Sequence, residues 1–194
     1  MNIHSILGAF AIVLTILAFF PYVLSIHRGK TKPHVFSWVI WGMVTCAVAV
    51  AQWLDGGGAG AWPILISGLI TFYVALIAFI YRADIRITRI DWFFLFSALF
   101  GLGLWVWLQD ALYTVIILTF IDLCGFAPTF RKGWHAPREE NSGFFAIMAV
   151  RNILAATALE HYSFTTLFFP IATCLACVML FAMLHWRRAS RVNV

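Results

Sequence analysis

Charged residues are scarce in this sequence. Asp, Glu, Lys and Arg make up 11% of its 194 residues, against about 25% in an ordinary soluble domain. Apolar residues make up 63%, and the mean hydropathy is +0.92. A single core of this size cannot bury so much apolar surface, so lipid must be the solvent for most of the chain. The composition therefore excludes a soluble globular protein.

Cysteine is also rare, and its placement argues against a disulfide framework. The four cysteines, Cys46, Cys124, Cys174 and Cys177, all lie inside apolar runs. The last two form a Cys-x-x-Cys pair, but a structural zinc site needs two further ligands that the sequence does not supply nearby. We therefore interpret these cysteines as small buried side chains. The lysines lie only in polar connections, which excludes a retinal-binding lysine within a span.

The sequence shows no catalytic motif. It has no pair of neighbouring carboxylates, no histidine cluster at metal-ligand spacing, no G-x-S-x-G and no long loop that could carry an active site. We therefore predict that the protein is not an enzyme and that it needs no metal or cofactor. The basic residues follow a pattern that membrane topology explains, so we expect no nucleic-acid partner.

Apolar segments long enough to cross a bilayer recur along the chain. They cover residues 3–26, 35–53, 60–81, 92–108, 111–130, 143–159 and 163–186. The pattern predicts an all-α integral membrane protein with seven transmembrane helices. The first segment is longer than a signal-peptide core and has no Lys or Arg before it, so we expect it to remain as the first helix.

Positive charges alternate between the two ends of these segments. Of the 13 Lys and Arg residues, 12 lie after the first, third, fifth and seventh segments, and Arg151 lies inside the sixth. Cytoplasmic loops are the ones enriched in Lys and Arg. The alternation predicts an outside N-terminus and a cytoplasmic C-terminus in a cell membrane, either plasma or inner.

The chain also resembles itself at an offset of 105 residues. The matching pairs are Ser37 with Ser142, Asp55 with Glu160, and Tyr81 with Trp186. In the first helix of each unit the offset becomes 107. The similarity predicts two three-helix repeats, residues 1–83 and 111–194, on either side of a linker helix within 84–110. Since one helix separates them, the two repeats should enter the membrane in parallel orientation.

Several segments resemble a known family. The stretch LAFFPYVLSIHRGKTKPHVFSW, then QWLDGG and ISGLITFYVALIAFIYR, resembles the three-helix unit of the SWEET and SemiSWEET sugar transporters of the PQ-loop superfamily. The stretch IDLCGFAPTFRKGWHAP resembles the start of a second unit. Where the family has Pro-Gln, this chain has Pro21-Tyr22 and Pro128-Thr129. The resemblance implies a 3+1+3 helix arrangement.

The resemblance further implies transport of a small polar solute, a sugar or a similar metabolite, by alternating access. The same fold serves other functions, which remain as alternatives. One is a proton-coupled amino-acid or vitamin-precursor carrier, and another is a membrane receptor for a ligand or cargo. The solute and the lipid bilayer are the expected partners, and self-association into a homo-oligomer is left open.

Candidate solute-binding residues follow from the resemblance. Trp53 matches the family's aromatic wall, and Gly68, beside Ser67, occupies the position of its asparagine, with Thr173 at the matching place in the second repeat. An aromatic belt at the membrane surface is the alternative role for Trp53. Pro21 and Pro128 fall near the ends of equivalent helices, where they are candidate gate or hinge residues or ordinary helix ends.

Asp122 and Arg151 are ionisable residues inside predicted spans. Such residues are costly in lipid and usually face a partner or a water-filled path. Each lies eight residues from the same predicted membrane face, which is about 12 Å along a helix. We therefore predict a buried ion pair in the inner half of a central cavity, with the amide of Asn152 beside it. We expect this pair to bind the solute or to handle protons.

Overall fold

The structure is a computed structural model that describes residues 2–29, 33, 35–81, 87, 89–108, 110–135, 137, 138 and 140–190. The part of the chain that it describes is all-helical, with 88% helix and no strand. Its long helices are α1 (Ile3–His27), α2 (Val35–Leu54), α3 (Ala61–Ile80), α4 (Arg89–Leu108), α5 (Ala111–His135), α6 (Ser142–Thr157) and α7 (Phe164–Ser190). A short 3₁₀ turn, Gly58–Gly60, precedes α3.

Four of these helices are long and apolar enough to cross a membrane. They are α1, α2, α3 with its preceding turn, and α7. The apolar parts of α4 and α5 are shorter, and α6 has 16 residues, which rise about 24 Å against a hydrocarbon core of about 30 Å. The protein is thus a membrane-embedded helical protein. The seven-span topology stays a prediction.

Local chemistry explains where α1 and α6 begin and how the chain turns between α2 and α3. The side chain of Asn2 accepts a hydrogen bond from the Ser5 backbone N–H at 2.8 Å and caps α1, and Asn141 caps α6 in the same way through Phe144. Between α2 and α3, Gly56 adopts a φ of 79°. Left-handed backbone of this kind is easily adopted only by glycine, which permits the tight turn.

The helices pack as two similar groups of three. In the first group α3 packs against α1 and α2, and in the second α7 packs against α5 and α6. Between the groups α1 packs against α6 and α2 against α5. Exchanging α1–α3 for α5–α7 reproduces the same contacts, as expected of a repeat. The remaining helix, α4, lies against α5 and α2. The boundaries of the repeats, 1–83, 84–110 and 111–194, stay predictions.

Aromatic contacts repeat in the same way. His27 of α1 packs edge-on against Tyr81 after α3, with ring centroids 5.6 Å apart. Trp134 of α5 and Trp186 of α7 also lie 5.6 Å apart. The offset of 107 relates His27 to Trp134, and the offset of 105 relates Tyr81 to Trp186. These contacts define one end of the bundle, which we call the C-terminal face.

The opposite end, which we call the N-terminal face, is held by close backbone packing. A Cβ on Gly8 of α1 would lie 2.7 Å from the Ala59 carbonyl oxygen, and one on Gly60 would lie 2.6 Å from that of Ala155 in α6. The beginnings of α1 and α3 and the end of α6 therefore meet there. Which side of the membrane each face adjoins stays a prediction.

Candidate functional site

Arg151 lies on α6 with 2% of its surface exposed. Its Nε donates to the Thr15 hydroxyl at 3.0 Å, its Nη1 to the Asn152 side-chain oxygen at 2.6 Å, and its Nη2 to the Pro63 carbonyl at 3.2 Å. Thr15 belongs to α1 and Pro63 to α3. One guanidinium therefore ties the second group of helices to two helices of the first. We call Arg151, Thr15, Asn152 and Pro63, with the nearby Asp122, the buried polar cluster.

The acceptors of Arg151 are neutral, so its hydrogen bonds do not cancel its positive charge. A guanidinium has five N–H groups, so two of them have no acceptor among the described residues. Insertion scales give a cost of about 2.5–3.5 kcal/mol for an arginine at the centre of a membrane helix. A buried arginine in a predicted span is therefore a candidate functional residue.

Asp122, on α5, is 8% exposed. Within the described chain no hydrogen-bond donor contacts its carboxylate, and no cation lies within 4.0 Å of it. It does lie close enough to Arg151 and to Cys177 of α7 to interact with both electrostatically. The prediction of a direct ion pair between Asp122 and Arg151 is therefore wrong. The guanidinium is held instead by the hydroxyl, amide and carbonyl oxygens of the cluster.

The depth of Asp122 and Arg151 in the membrane stays a prediction, but the structure shows where each residue lies along its helix. Helix α5 continues to His135, which puts Asp122 thirteen residues from its end, or about 20 Å along the helix. Arg151 reaches Pro63, the third residue of α3, near the N-terminal face. The cluster therefore lies between the middle of the bundle and the N-terminal face.

The structure buries Ser67, Gly68 and Thr173 but does not join them to Arg151. Gly68 packs so closely on Cys46 of α2 that a Cβ would lie 2.5 Å from the sulfur. The Thr173 hydroxyl donates to the Phe169 carbonyl of its own helix at 2.8 Å. Ser67 is 6% exposed, and its carbonyl accepts a hydrogen bond from within α3. Their roles as solute-binding residues stay predictions.

Trp53 lies at the N-terminal face with 48% of its surface exposed. Its ring packs against Trp62, with centroids 4.5 Å apart. A half-exposed tryptophan pair at a helix end is typical of an interfacial belt. The structure thus favours that alternative for Trp53 over the wall of an enclosed site.

Pro21 and Pro128 both lie inside helices rather than at their ends. Pro21 is six residues before the end of α1, and Pro128 is seven before the end of α5. The side chain of Pro128 lies outside the described residues. Since proline removes a backbone hydrogen bond inside a helix, the two positions are equivalent weak points. Their role as hinges stays a prediction.

Contacts between two connections close the N-terminal face, and sequence reasoning missed them. The His161 Nδ1 donates to the Asp55 carbonyl at 2.9 Å, and the Glu160 N–H donates to the Gly57 carbonyl at 3.2 Å. The Ser163 hydroxyl donates to the Asp55 carboxylate. We call these five residues the N-terminal latch. The offset of 105 pairs Asp55 with Glu160, but equivalence in a repeat did not predict that the two loops touch.

Gln52 is a second contact between the groups that sequence reasoning missed. It is fully buried at the end of α2, and its Nε2 donates to the Thr166 carbonyl of α7 at 2.7 Å. Its Oε1 has no partner among the described residues. The same part of the chain holds no group of three or more His, Cys, Asp or Glu residues that could bind a metal ion.

Comparison of the chain with protein-family models, with curated proteins and with solved structures gives no match. The resemblance to SWEET and SemiSWEET transporters therefore rests on the short segments quoted above.

Proposed function

We propose that this protein is a membrane transporter that moves a small polar solute by alternating access between two three-helix units. The observation that carries this proposal is the position of Arg151. It is a buried, charged side chain at the boundary between the units, and its donors reach α1 and α3 of the opposite unit. We further propose that all seven helices cross the membrane, with an outside N-terminus and a cytoplasmic C-terminus.

The symmetry of the contacts supports this mechanism. The units meet through α1 with α6 and α2 with α5, so each contact has a counterpart on the other side of the boundary. Paired repeats of this kind can rock against each other about a site at their interface. The resemblance to the SWEET and SemiSWEET unit points the same way.

The N-terminal latch would serve as one gate. Its contacts run between the connection after α2 and the connection after α6, so they join one unit to the other. A hydrogen bond contributes about 0.5–1.5 kcal/mol net. The bond to the Asp55 carboxylate involves a charged group and contributes about 1.5–3 kcal/mol, so the three bonds total about 2.5–6 kcal/mol. This is below the roughly 8 kcal/mol of a micromolar affinity. A solute that binds the open form more tightly than the closed form by this amount would open such a gate reversibly.

Counterflow in proteoliposomes tests the proposal. Vesicles that contain the purified chain are loaded in turn with a hexose, a neutral amino acid and a monocarboxylate, and labelled solute is added outside. A transporter accumulates label by exchange, whereas empty vesicles do not. Absence of exchange for the whole panel would contradict transport.

A disulfide across the latch then connects exchange to this structure. Cysteines at Asp55 and Ser163, whose side chains touch, should abolish exchange on oxidation, and a reductant should restore it. The single variants Asp55→Cys and Ser163→Cys are the matched controls and should respond to neither treatment. An oxidised double variant that exchanges as fast as its reduced form would show that the latch is not a gate.

A ligand receptor is the second candidate function. It is favoured by the closure of the cluster, in which Thr15 is fully buried and Arg151 is 2% exposed. A receptor would bind its ligand without accelerating exchange across the membrane, so the counterflow experiment separates it from a transporter.

A further inference from the structure

We propose that the solute is a small oxyanion of single negative charge that binds Arg151, and that Asp122 takes up one proton when it binds. This inference rests on the proposed transport function and adds to it the chemical class of the solute and its coupling ion. Among the described residues, an arginine with no bonded carboxylate lies close to a carboxylate that accepts no hydrogen bond, and this juxtaposition is the observation behind the inference.

Arg151 retains the donors that an oxyanion requires. Nη1 and Nη2 each use one N–H, on Asn152 and Pro63, so each retains a second. Two parallel N–H groups of one guanidinium match the two oxygens of a carboxylate or phosphate. The existing contacts hold the guanidinium plane in place, which lowers the entropy lost when a ligand binds. The neutral acceptors leave the positive charge available to that ligand.

Asp122 is the only carboxylate close to this arginine in the described chain. Helix α2, which packs against α5, has no Asp, Glu, Lys, Arg or His, and its one titratable group is Cys46. The charged residues of α4 lie in its first turn, and those of α7 in its last. Cys174 and Cys177 are the thiols that α7 contributes. The charge state of the cluster therefore depends on Arg151 and Asp122.

Charge balance then couples the proton to the anion. When Asp122 is ionised, the charges of the Asp122 and Arg151 side chains sum to zero. A bound monoanion would leave one net negative charge in a medium of low dielectric, which is costly. One proton on the Asp122 carboxylate restores a net charge of zero. The ligand carboxylate then pairs with the Arg151 guanidinium, and Asp122 is the neutral acid. Anion and proton would then cross together without net charge.

A zwitterion is the competing ligand. Its carboxylate would meet Arg151 and its ammonium group Asp122, which keeps the sum at zero with no proton. The two ligand classes therefore differ in the pH dependence of their binding, and simple probe compounds of each class can measure that difference.

The test is ligand-induced stabilisation of the purified full chain in detergent. L-lactate is the main probe because its carboxylate stays ionised from about pH 5 to pH 8. Inorganic phosphate, L-alanine and D-glucose are compared at one pH. We expect lactate to raise the unfolding temperature and to bind about tenfold more weakly per unit rise in pH once Asp122 is ionised, since one proton is linked to each anion. A rise in unfolding temperature with lactate alone would identify the ligand as a carboxylate. A rise with phosphate alone would identify it as a phosphate.

Variants assign the effect to the two residues. Asp122→Asn, which cannot ionise, should bind lactate with no pH dependence, and Arg151→Gln should lose binding. Arg151→Lys retains the positive charge but not the paired N–H groups of a guanidinium. It should therefore bind lactate at least tenfold more weakly while remaining folded. Asp110→Asn and Arg138→Gln make the same chemical changes away from the cluster and should behave as wild type.

Several results would overturn the inference: stabilisation by alanine but not by lactate, no stabilisation by lactate or phosphate, or lactate binding that does not change with pH in wild type. Its failure is distinguishable from failure of the transport proposal. Counterflow of glucose without lactate or phosphate binding rejects the oxyanion and retains transport. Linked binding of lactate and a proton without counterflow supports the oxyanion and rejects transport.

Discussion

Replacing Thr15 by valine should destabilise the protein by removing one contact between the two units. Valine has nearly the shape of threonine but has no hydroxyl, so the Nε–H of Arg151, now bonded at 3.0 Å, would lose its acceptor inside the membrane. Hydrogen bonds to charged groups contribute about 1.5–3 kcal/mol, and bonds between membrane helices average about 0.6 and reach about 1.7 kcal/mol. We expect a loss of about 1–2 kcal/mol beyond that of a matched control.

Thr71→Val is that control. The Thr71 hydroxyl donates to the Ser67 carbonyl at 2.8 Å, just as Thr15 donates to Ala11 at 2.8 Å, and both residues are buried. Only Thr15 also accepts from an arginine. Unfolding in mixed micelles with rising sodium dodecyl sulfate, followed by tryptophan fluorescence, gives both free energies. Equal losses for Thr15→Val and Thr71→Val would refute the argument that Arg151 binds the units together through Thr15.

Three further predictions use other contacts. Gly68→Ala should lower the free energy of unfolding by about 1–3 kcal/mol, because its Cβ would lie 2.5 Å from the Cys46 sulfur; Cys46→Ala should recover part of that loss in the same micelle titration. Trp53→Ala should leave counterflow unchanged, since its ring is 48% exposed; loss of exchange in folded protein would return it to the solute site. Arg188→Lys should speed amide hydrogen exchange at residues 138 and 140–142, because the guanidinium bonds the Pro137 and Glu140 carbonyls and the Ser142 hydroxyl; unchanged exchange there would contradict this.

Apolar runs predicted the helices well, because a segment that crosses lipid must be apolar and its backbone must satisfy its own hydrogen bonds as a helix. Each predicted segment coincides with a helix, and the bounds agree within three residues except at the C-terminal ends of α5 and α7. Both helices continue past the apolar run into basic sequence at the C-terminal face. Hydropathy identifies residues suited to contact with lipid and does not report helix beyond them, so it could not show that α5 continues to His135. The distance of thirteen residues between Asp122 and the end of α5 was therefore not predictable from the apolar run.

The site was predictable only in part. Asp122 and Arg151 stand out because ionisable residues in apolar runs are rare, and the structure buries both. The groups that bond to Arg151 cannot be recognised in the sequence in this way. A threonine hydroxyl and the carbonyl of Pro63 are ordinary groups, and only the packing of α1, α3 and α6 brings them to the guanidinium. The N-terminal latch escaped prediction for the same reason, since the residues that bond to Asp55 lie 106 and 108 positions away from it.

The distance between the two units across the N-terminal face tests the central claim most directly. Spin labels at Trp62 and Tyr162, both exposed at that face and in opposite units, report that distance by double electron–electron resonance in proteoliposomes, with the native cysteines replaced by alanine. Labels at Trp53 and Tyr81, within the first unit, are the control. Alternating access predicts two distances for the first pair, with a population ratio that lactate changes, and one unchanged distance for the control. A single distance for the first pair, unaffected by lactate or by any solute that exchanges in counterflow, would contradict the account.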